Sequence, residues 1–134
     1  MNEEQRKEAL IKYRLEQAEE TLKDAKILLK EGSLRGVVNR AYYAMFYAVL
    51  ALLIDIGKGS SKHSRAIALF DRYFVKTSSF PERMSKALHK AFALRQTSDY
   101  RELTEISRED AEEILEEAAG FVTEVGRYLT KNLP

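Results

Sequence analysis

Apolar residues recur at alternating spacings of four and three near both ends of the chain. This is the period of an α-helix with one buried face, because 3.6 residues make one turn. The first stripe comprises Ile11, Leu15, Ala18, Leu22, Ala25 and Leu29. The last stripe comprises Ala111, Leu115, Ala118, Val122, Val125 and Leu129. We predict a first helix over residues 3–31 and a last helix after Ser107, which precedes Asp110 by three as in a capping box.

Three further helices are predicted between these stripes. Gly32 ends the first helix and Ser33 can cap the second, which we place over residues 34–56. The second helix is apolar nearly all round, which is typical of a helix buried on several sides. A shorter helix follows the polar turn GKGSSKHS. The fourth helix has Pro81 in its first turn and runs to about Ser98. The pattern predicts an all-α fold, an up-and-down bundle of four long helices plus one short helix, as a single domain over residues 1–134.

The amino-acid composition argues against several classes of function and of binding site. Lys and Arg number 22 and Asp and Glu number 21, so the chain lacks the strong basic excess of a general duplex-binding protein, and any RNA contact must be local. There is no cysteine, and His63 and His89 are far apart in sequence, so we expect no metal site and no cofactor. The charged N-terminus is unlike a signal peptide, and the longest apolar run has 14 residues, so we expect a cytoplasmic protein.

Arg95 interrupts an apolar stripe near the end of the predicted fourth helix. Met84, Leu88 and Ala91 precede it at the same spacing, so its guanidinium projects from the buried side. One interpretation is structural, because an arginine there favours the helix dipole and pairs with Asp99 four residues on. The other is a ligand-binding role, because a guanidinium on an apolar stripe needs partners or a cleft. The residues leave both interpretations open.

A second cluster of candidates opens the second helix. Asn39 and Arg40 lie in its first turns, and Arg40, Tyr43 and Tyr47 share one face. Aromatic residues fill four of six positions (42, 43, 46 and 47), more than one buried face needs, so we predict packing against another copy of the chain. Stacking on a base is the alternative role for these rings. We interpret His63 as a capping or solvated histidine at a helix start, with a functional role as the alternative.

On these residues the chain resembles the HEPN superfamily, in its small stand-alone prokaryotic, UPF0332-like branch. The resemblance is carried by NRAYYAMFYAVLALL in the second helix, by KHSRAIALFDRYFV, and by AFALRQTSDY at the end of the fourth. It implies a bundle of four to five helices that dimerises, with the functional cleft between the subunits. It also implies, in many relatives, pairing with a minimal nucleotidyltransferase, often as a toxin–antitoxin couple.

The same resemblance implies a catalytic motif from which this chain departs. Catalytic HEPN members are metal-independent ribonucleases with an arginine, four to six residues, and then a histidine. Arg95 matches the arginine, but Tyr100 and the two residues after it stand where the histidine would be. RNA cleavage through the 2′-hydroxyl needs a base that titrates near neutral pH, whereas an unperturbed tyrosine has a pKa of about 10. Arg83 and His89 have the spacing by count, but they lie mid-helix and we interpret them as a coincidence.

These observations leave three hypotheses. The first is a non-catalytic homodimer that binds a nucleotide or RNA phosphate between two copies of Arg95 and serves a nucleotidyltransferase partner. The second is a ribonuclease in which Tyr100 or His63 replaces the missing base. The third is a structural partner whose dimer surface is its whole function. The candidate ligand-binding residues are Asn39, Arg40, Tyr43, His63, Arg95, Asp99 and Tyr100.

Overall fold

The computed structural model describes residues 1–98 and 105–132, with no strand in these ranges. The elements are α1 (Glu3–Lys30), α2 (Leu34–Asp55), α3 (His63–Phe70), a π-turn (Asp71–Val75), α4 (Glu82–Ser98) and α5 (Arg108–Asn132). Helix α2 is central, because it packs against each of the other four α-helices. The all-α fold with four long helices and one short helix is therefore confirmed.

The predicted helix ends agree with the structure to within a few residues. Gly32 ends α1 with φ of 77°, a left-handed conformation that glycine adopts without steric cost. Ser33 holds the N-cap position of α2, but its side chain makes no capping hydrogen bond, so that detail of the prediction was wrong. At α5 the Ser107 hydroxyl accepts a hydrogen bond from the Asp110 backbone N–H at 3.0 Å, as predicted.

The third helix changes from α-helical to π-helical geometry after Phe70. Its apolar residues Ile67, Phe70 and Phe74 are all buried, but the α-helix ends at Phe70 and continues as the π-turn. The Phe80 backbone N–H donates to the Phe74 carbonyl at 2.9 Å, and both rings pack on Tyr128 of α5. Phe74, in the wider turn, therefore contacts both Phe80, in the segment that precedes α4, and Tyr128 of α5.

Helix α2 supplies most of the core. Twelve of its 22 residues are buried, which explains why its sequence is apolar nearly all round. Among the described helices, α2 is the one that is long and apolar enough to cross a bilayer by length and composition. Of the stretch that meets this test, 67% is buried inside the protein, as in the core helix of a soluble domain.

Candidate functional site

Arg95 lies in the last turn of α4 and points at two tyrosines of α2. The apolar stripe before it is buried as predicted, through Met84, Leu88 and Ala91. The guanidinium carbon is 5.1 Å from the centre of the Tyr43 ring and 5.5 Å from that of Tyr42. At this distance the cation interacts favourably with the face of an aromatic ring. The position of Arg95 on this stripe thus places its guanidinium against an aromatic surface.

A second guanidinium approaches the same ring. The Arg40 guanidinium carbon is 5.2 Å from the centre of the Tyr43 ring. Arg40 is held there by Asn39, whose side-chain oxygen accepts from Nε at 3.0 Å and from Nη2 at 2.8 Å. A guanidinium has five N–H donors, and this anchor uses two of them. Arg40 and Arg95 therefore converge on Tyr43 from two different helices.

His63 completes the cluster from α3, and its predicted solvated or capping role was wrong. Its ring stacks on Phe46 with centroids 4.1 Å apart and an interplanar angle of 13°. Its Nδ1 lies 2.7 Å from the hydroxyl oxygen of Tyr42, which is fully buried. The stack and the hydrogen bond fix the start of α3 on α2 beside the ring of Tyr43, which lies edge-on to His63 at 5.7 Å.

The electrostatics of the cluster keep both titratable partners neutral. Burial raises the pKa of the Tyr42 phenol, so its hydroxyl keeps its proton. Burial and, second, the positive charge of Arg95 lower the pKa of His63, so the imidazole is neutral at pH 7. A phenol is the better donor and a neutral imidazole nitrogen the better acceptor. We therefore assign the Tyr42 O–H as donor to Nδ1, which leaves the ring proton of His63 on Nε2.

Replacing Arg95 by glutamine should raise the pKa of His63, because it removes the positive charge that disfavours the imidazolium. Burial still acts, so the pKa should stay below its ordinary value of about 6.5. A titration of the His63 ring proton by NMR measures this, with His63→Gln identifying the signal. Arg83→Gln, on the exposed side of the same helix, should leave the titration unchanged. An unaltered pKa in Arg95→Gln would contradict the placement of the guanidinium.

Four of the predicted site residues thus come together directly, and a fifth supports them. Arg40, Tyr43, His63 and Arg95 form one cluster, and Asn39 anchors Arg40. The predicted Asp99 and Tyr100 lie outside the described residues. Nothing in the sequence distinguishes Tyr42 and Phe46, which hold His63, from the other aromatic residues of α2. Their spacing of four on one helix indicates only that they share a face.

The second histidine belongs to a different cluster. His89 Nε2 lies 2.7 Å from Asp71 Oδ2, and the Ser85 hydroxyl donates to Asp71 Oδ1 at 2.7 Å. The carboxylate thus bridges serine and histidine, which do not bond to each other as a nucleophile and its base would. This cluster ties α4 to the π-turn. Within residues 1–98 and 105–132 no group of three or more acidic or histidine side chains could hold a metal ion.

Comparison with known proteins gives consistent matches. A family model described as the HEPN domain matches residues 11–128. The chain is similar to a "UPF0332 protein" of Thermotoga maritima, with 42% identity over 96% of each chain. It is also similar to two Methanocaldococcus jannaschii proteins. "Putative toxin MJ0142" is 33% identical, over 89% of this chain and 82% of that one. "Putative toxin MJ0605" is 36% identical, over 89% and 88%.

Proposed function

Because the chain belongs to the HEPN domain family, we propose that it is a non-catalytic binding module of that family. In this proposal a homodimer binds a nucleotide or an RNA phosphate at the cluster of Arg40, Tyr43, His63 and Arg95. The observation that carries the proposal is the convergence of two guanidiniums within 5.2 Å of one tyrosine ring. Paired arginines match the geometry of phosphate oxygens and form charge-assisted hydrogen bonds to them.

The tautomer of His63 favours binding over catalysis. With Nδ1 accepting from Tyr42, the outward nitrogen Nε2 carries a proton and donates hydrogen bonds. A donor beside two guanidiniums suits a phosphate oxygen. A general base needs a free lone pair instead, so His63 would have to adopt the opposite tautomer to activate a 2′-hydroxyl. A structural observation that favours a ribonuclease is that His63 lies close enough to Arg95 for the positive charge of Arg95 to lower the pKa of the imidazole.

A second copy of the chain fits the remaining surface of α2. Tyr43, Tyr47, Leu50 and Ile54 are only half-buried in one protomer and follow each other at spacings of four, three and four. Such a stripe on an otherwise buried helix is typical of a self-association surface, because apolar patches of this kind are seldom left in water. Since Tyr43 belongs to both the stripe and the cluster, a dimer formed there would bring two phosphate sites side by side.

The relatives support a proposal for the cellular role. Two of them are named "Putative toxin". The resemblance to the HEPN superfamily implies pairing with a minimal nucleotidyltransferase. We place this chain in the same kind of pair, as the HEPN half.

The experiment compares the wild type with Arg95→Ala and Arg83→Ala in their binding of uridine monophosphate by calorimetry. Sedimentation at the same concentrations should give twice the chain mass of 15.4 kDa. We expect Arg95→Ala to weaken binding about tenfold or more, because hydrogen bonds to charged groups contribute about 1.5–3 kcal/mol. Arg83 is exposed on the same helix, so Arg83→Ala should bind uridine monophosphate as tightly as the wild type does.

Two other results would replace the proposal. If Arg95→Ala and the wild type bind uridine monophosphate equally well, Arg95 does not form a phosphate site. The structural dimer would then be the hypothesis that remains. Cleavage of a single-stranded RNA in the presence of EDTA, lost in both Arg95→Ala and His63→Gln, would establish the ribonuclease instead. In that outcome the tautomer assigned to His63 would also be wrong.

A further inference from the structure

The near-zero net charge of the chain conceals a strong separation of charge. Residues 56–98 contain nine Lys and Arg residues and two acidic residues. Helix α5 has the opposite balance, with three Lys and Arg residues and seven acidic residues. Along α3 and the π-turn, exposed cations recur at short intervals. We call them the basic row: Lys62, Arg65, Arg72 and Lys76. With Leu69 between them, they repeat at spacings of three, four, three and four, and all four cations are exposed.

The basic row is not neutralised by the protein itself. In the described part of the chain no carboxylate lies within 4.0 Å of any of its four cations. The acidic residue within the row's own segment is Asp71, and its two oxygens already contact Ser85 and His89. Glu82 lines the same groove as Lys76 without an ion pair to it. Cations left without carboxylates on one side of an element produce a positive potential along it.

An aromatic ring lies at the far end of the basic row. The half-buried ring of Tyr73 has the Arg72 guanidinium 5.2 Å from its centre and the Lys58 ammonium 5.3 Å away. Cations along a track and an accessible aromatic ring are the combination that binds single-stranded nucleic acid. The cations hold the phosphates, and a base stacks on the ring.

The other end of the basic row meets the site already described. Helix α3 begins at His63, which contacts Tyr42, Tyr43 and Phe46. Ten residues separate His63 from Tyr73, about 15 Å at the α-helical rise. Stacked nucleotides advance by about 3.4 Å, so this length corresponds to roughly four of them. The row therefore leads from the phosphate site to the Tyr73 ring over a distance that a short oligonucleotide spans.

We propose that the basic row binds the backbone of a single-stranded RNA whose terminal phosphate lies at Arg95, with a base stacked on Tyr73. This inference rests on the proposed phosphate site and extends it: the natural ligand is an oligonucleotide and not a free nucleotide. The residues are supplied by α3 and the π-turn of the same protomer. A mononucleotide fills only the Arg95 end, whereas a chain of about four or more nucleotides reaches the ring.

The test measures the binding of uridine monophosphate and of oligouridylates of two to twelve nucleotides. The row variant is Lys62→Gln with Arg72→Gln. Its control is Arg6→Gln with Lys12→Gln, which removes the same charges from the exposed face of α1. The row variant should bind the dodecamer about tenfold more weakly than the control and bind the monophosphate equally well. Its slope of log affinity against log salt concentration should be smaller by about 1.4, at 0.7 for each lost phosphate contact.

Wild-type affinity should rise with length up to about five nucleotides. Tyr73→Leu, which keeps an apolar side chain against the core, should remove the last part of that rise. If Arg95→Ala leaves monophosphate binding unchanged, the proposed function fails. If Arg95 is required but the row variant binds the dodecamer as well as its control does, this inference fails alone. Binding of phosphatidylserine vesicles, but not RNA, through the row would assign it to a membrane surface and also overturn it.

Discussion

Replacing Phe70 by alanine should lower the free energy of unfolding by about 3–5 kcal/mol, the largest effect we expect of a single substitution. Phe70 is fully buried, and its ring contacts those of Phe74, Phe80 and Phe121 at centroid distances of 5.4–6.2 Å. Truncation removes the apolar contacts and leaves a cavity, because rings from three separate elements cannot all move in to fill it. Urea denaturation followed by circular dichroism measures the loss.

The control for this substitution is Ile27→Ala on α1. Ile27 is 59% exposed, so its truncation should change the free energy of unfolding by less than about 0.5 kcal/mol. Both variants must be compared with the wild type at one protein concentration, because self-association would add to the apparent stability. A loss below about 1 kcal/mol for Phe70→Ala would mean that the aromatic cluster is not the centre of the core.

The long helices were predictable because each has a regular apolar stripe and a recognisable end. Gly32 is an example, since a glycine after the last apolar position marks a left-handed C-terminus. The π-turn was not predictable in the same way. Phe70 and Phe74 keep the spacing of an ordinary helix, and the wider turn accompanies the contacts of Phe74 with Phe80 and Tyr128. Contacts of that kind are tertiary, so the local sequence does not encode them.

The site was predicted in part, and the reason is again the range of the interactions. Arg95 and Arg40 each stand out because a charged residue adjoins apolar helix positions. His63 is a candidate in the sequence, but its position could not be predicted, because it follows a turn rich in glycine and serine whose path the sequence does not fix. Only the structure places its ring on Phe46 and its nitrogen on the Tyr42 hydroxyl.

The net charge of the chain does not reveal the basic row. The formal net charge of +1 is a sum over the chain, and the acidic excess of α5 and of the remaining segments together offsets most of the basic excess of residues 56–98. A sum of this kind excludes a uniformly basic protein, but it says nothing about one face. Helical spacing of the cations was the available signal, because Lys62, Arg65 and Arg72 already follow the period of a helix in the sequence.

Fold and site meet in the contact between Tyr42 and His63. Tyr42 belongs to the core and His63 belongs to the site, and their hydrogen bond joins α2 to α3. The bond fixes both the position of α3 and the proton on His63. The orientation of the basic row, which begins next to His63, therefore depends in part on one buried hydroxyl.

Removing that hydroxyl by Tyr42→Phe should lower the free energy of unfolding by about 1–3 kcal/mol, the second-largest effect that we expect. The aromatic packing is kept, so the loss comes from Nδ1 of His63, which is left without its partner beside a buried ring. Nitrogen-15 NMR of the imidazole should report the second consequence. The proton is fixed on Nε2 in the wild type and becomes shared between the two nitrogens in the variant. Tyr47→Phe, a half-exposed position on the same helix, should change neither.

A double-mutant cycle makes the prediction specific to this pair of residues. Tyr42→Phe and His63→Gln remove the same hydrogen bond, so their combined loss of stability should be smaller than the sum of the two single losses. Additive losses would mean that the two side chains act independently and that another contact positions α3. Because the hydroxyl also sets which nitrogen donates, Tyr42→Phe should weaken phosphate binding even though Tyr42 is too deeply buried to reach a ligand. Unchanged phosphate affinity together with lost stability would confine the role of the hydrogen bond to the fold.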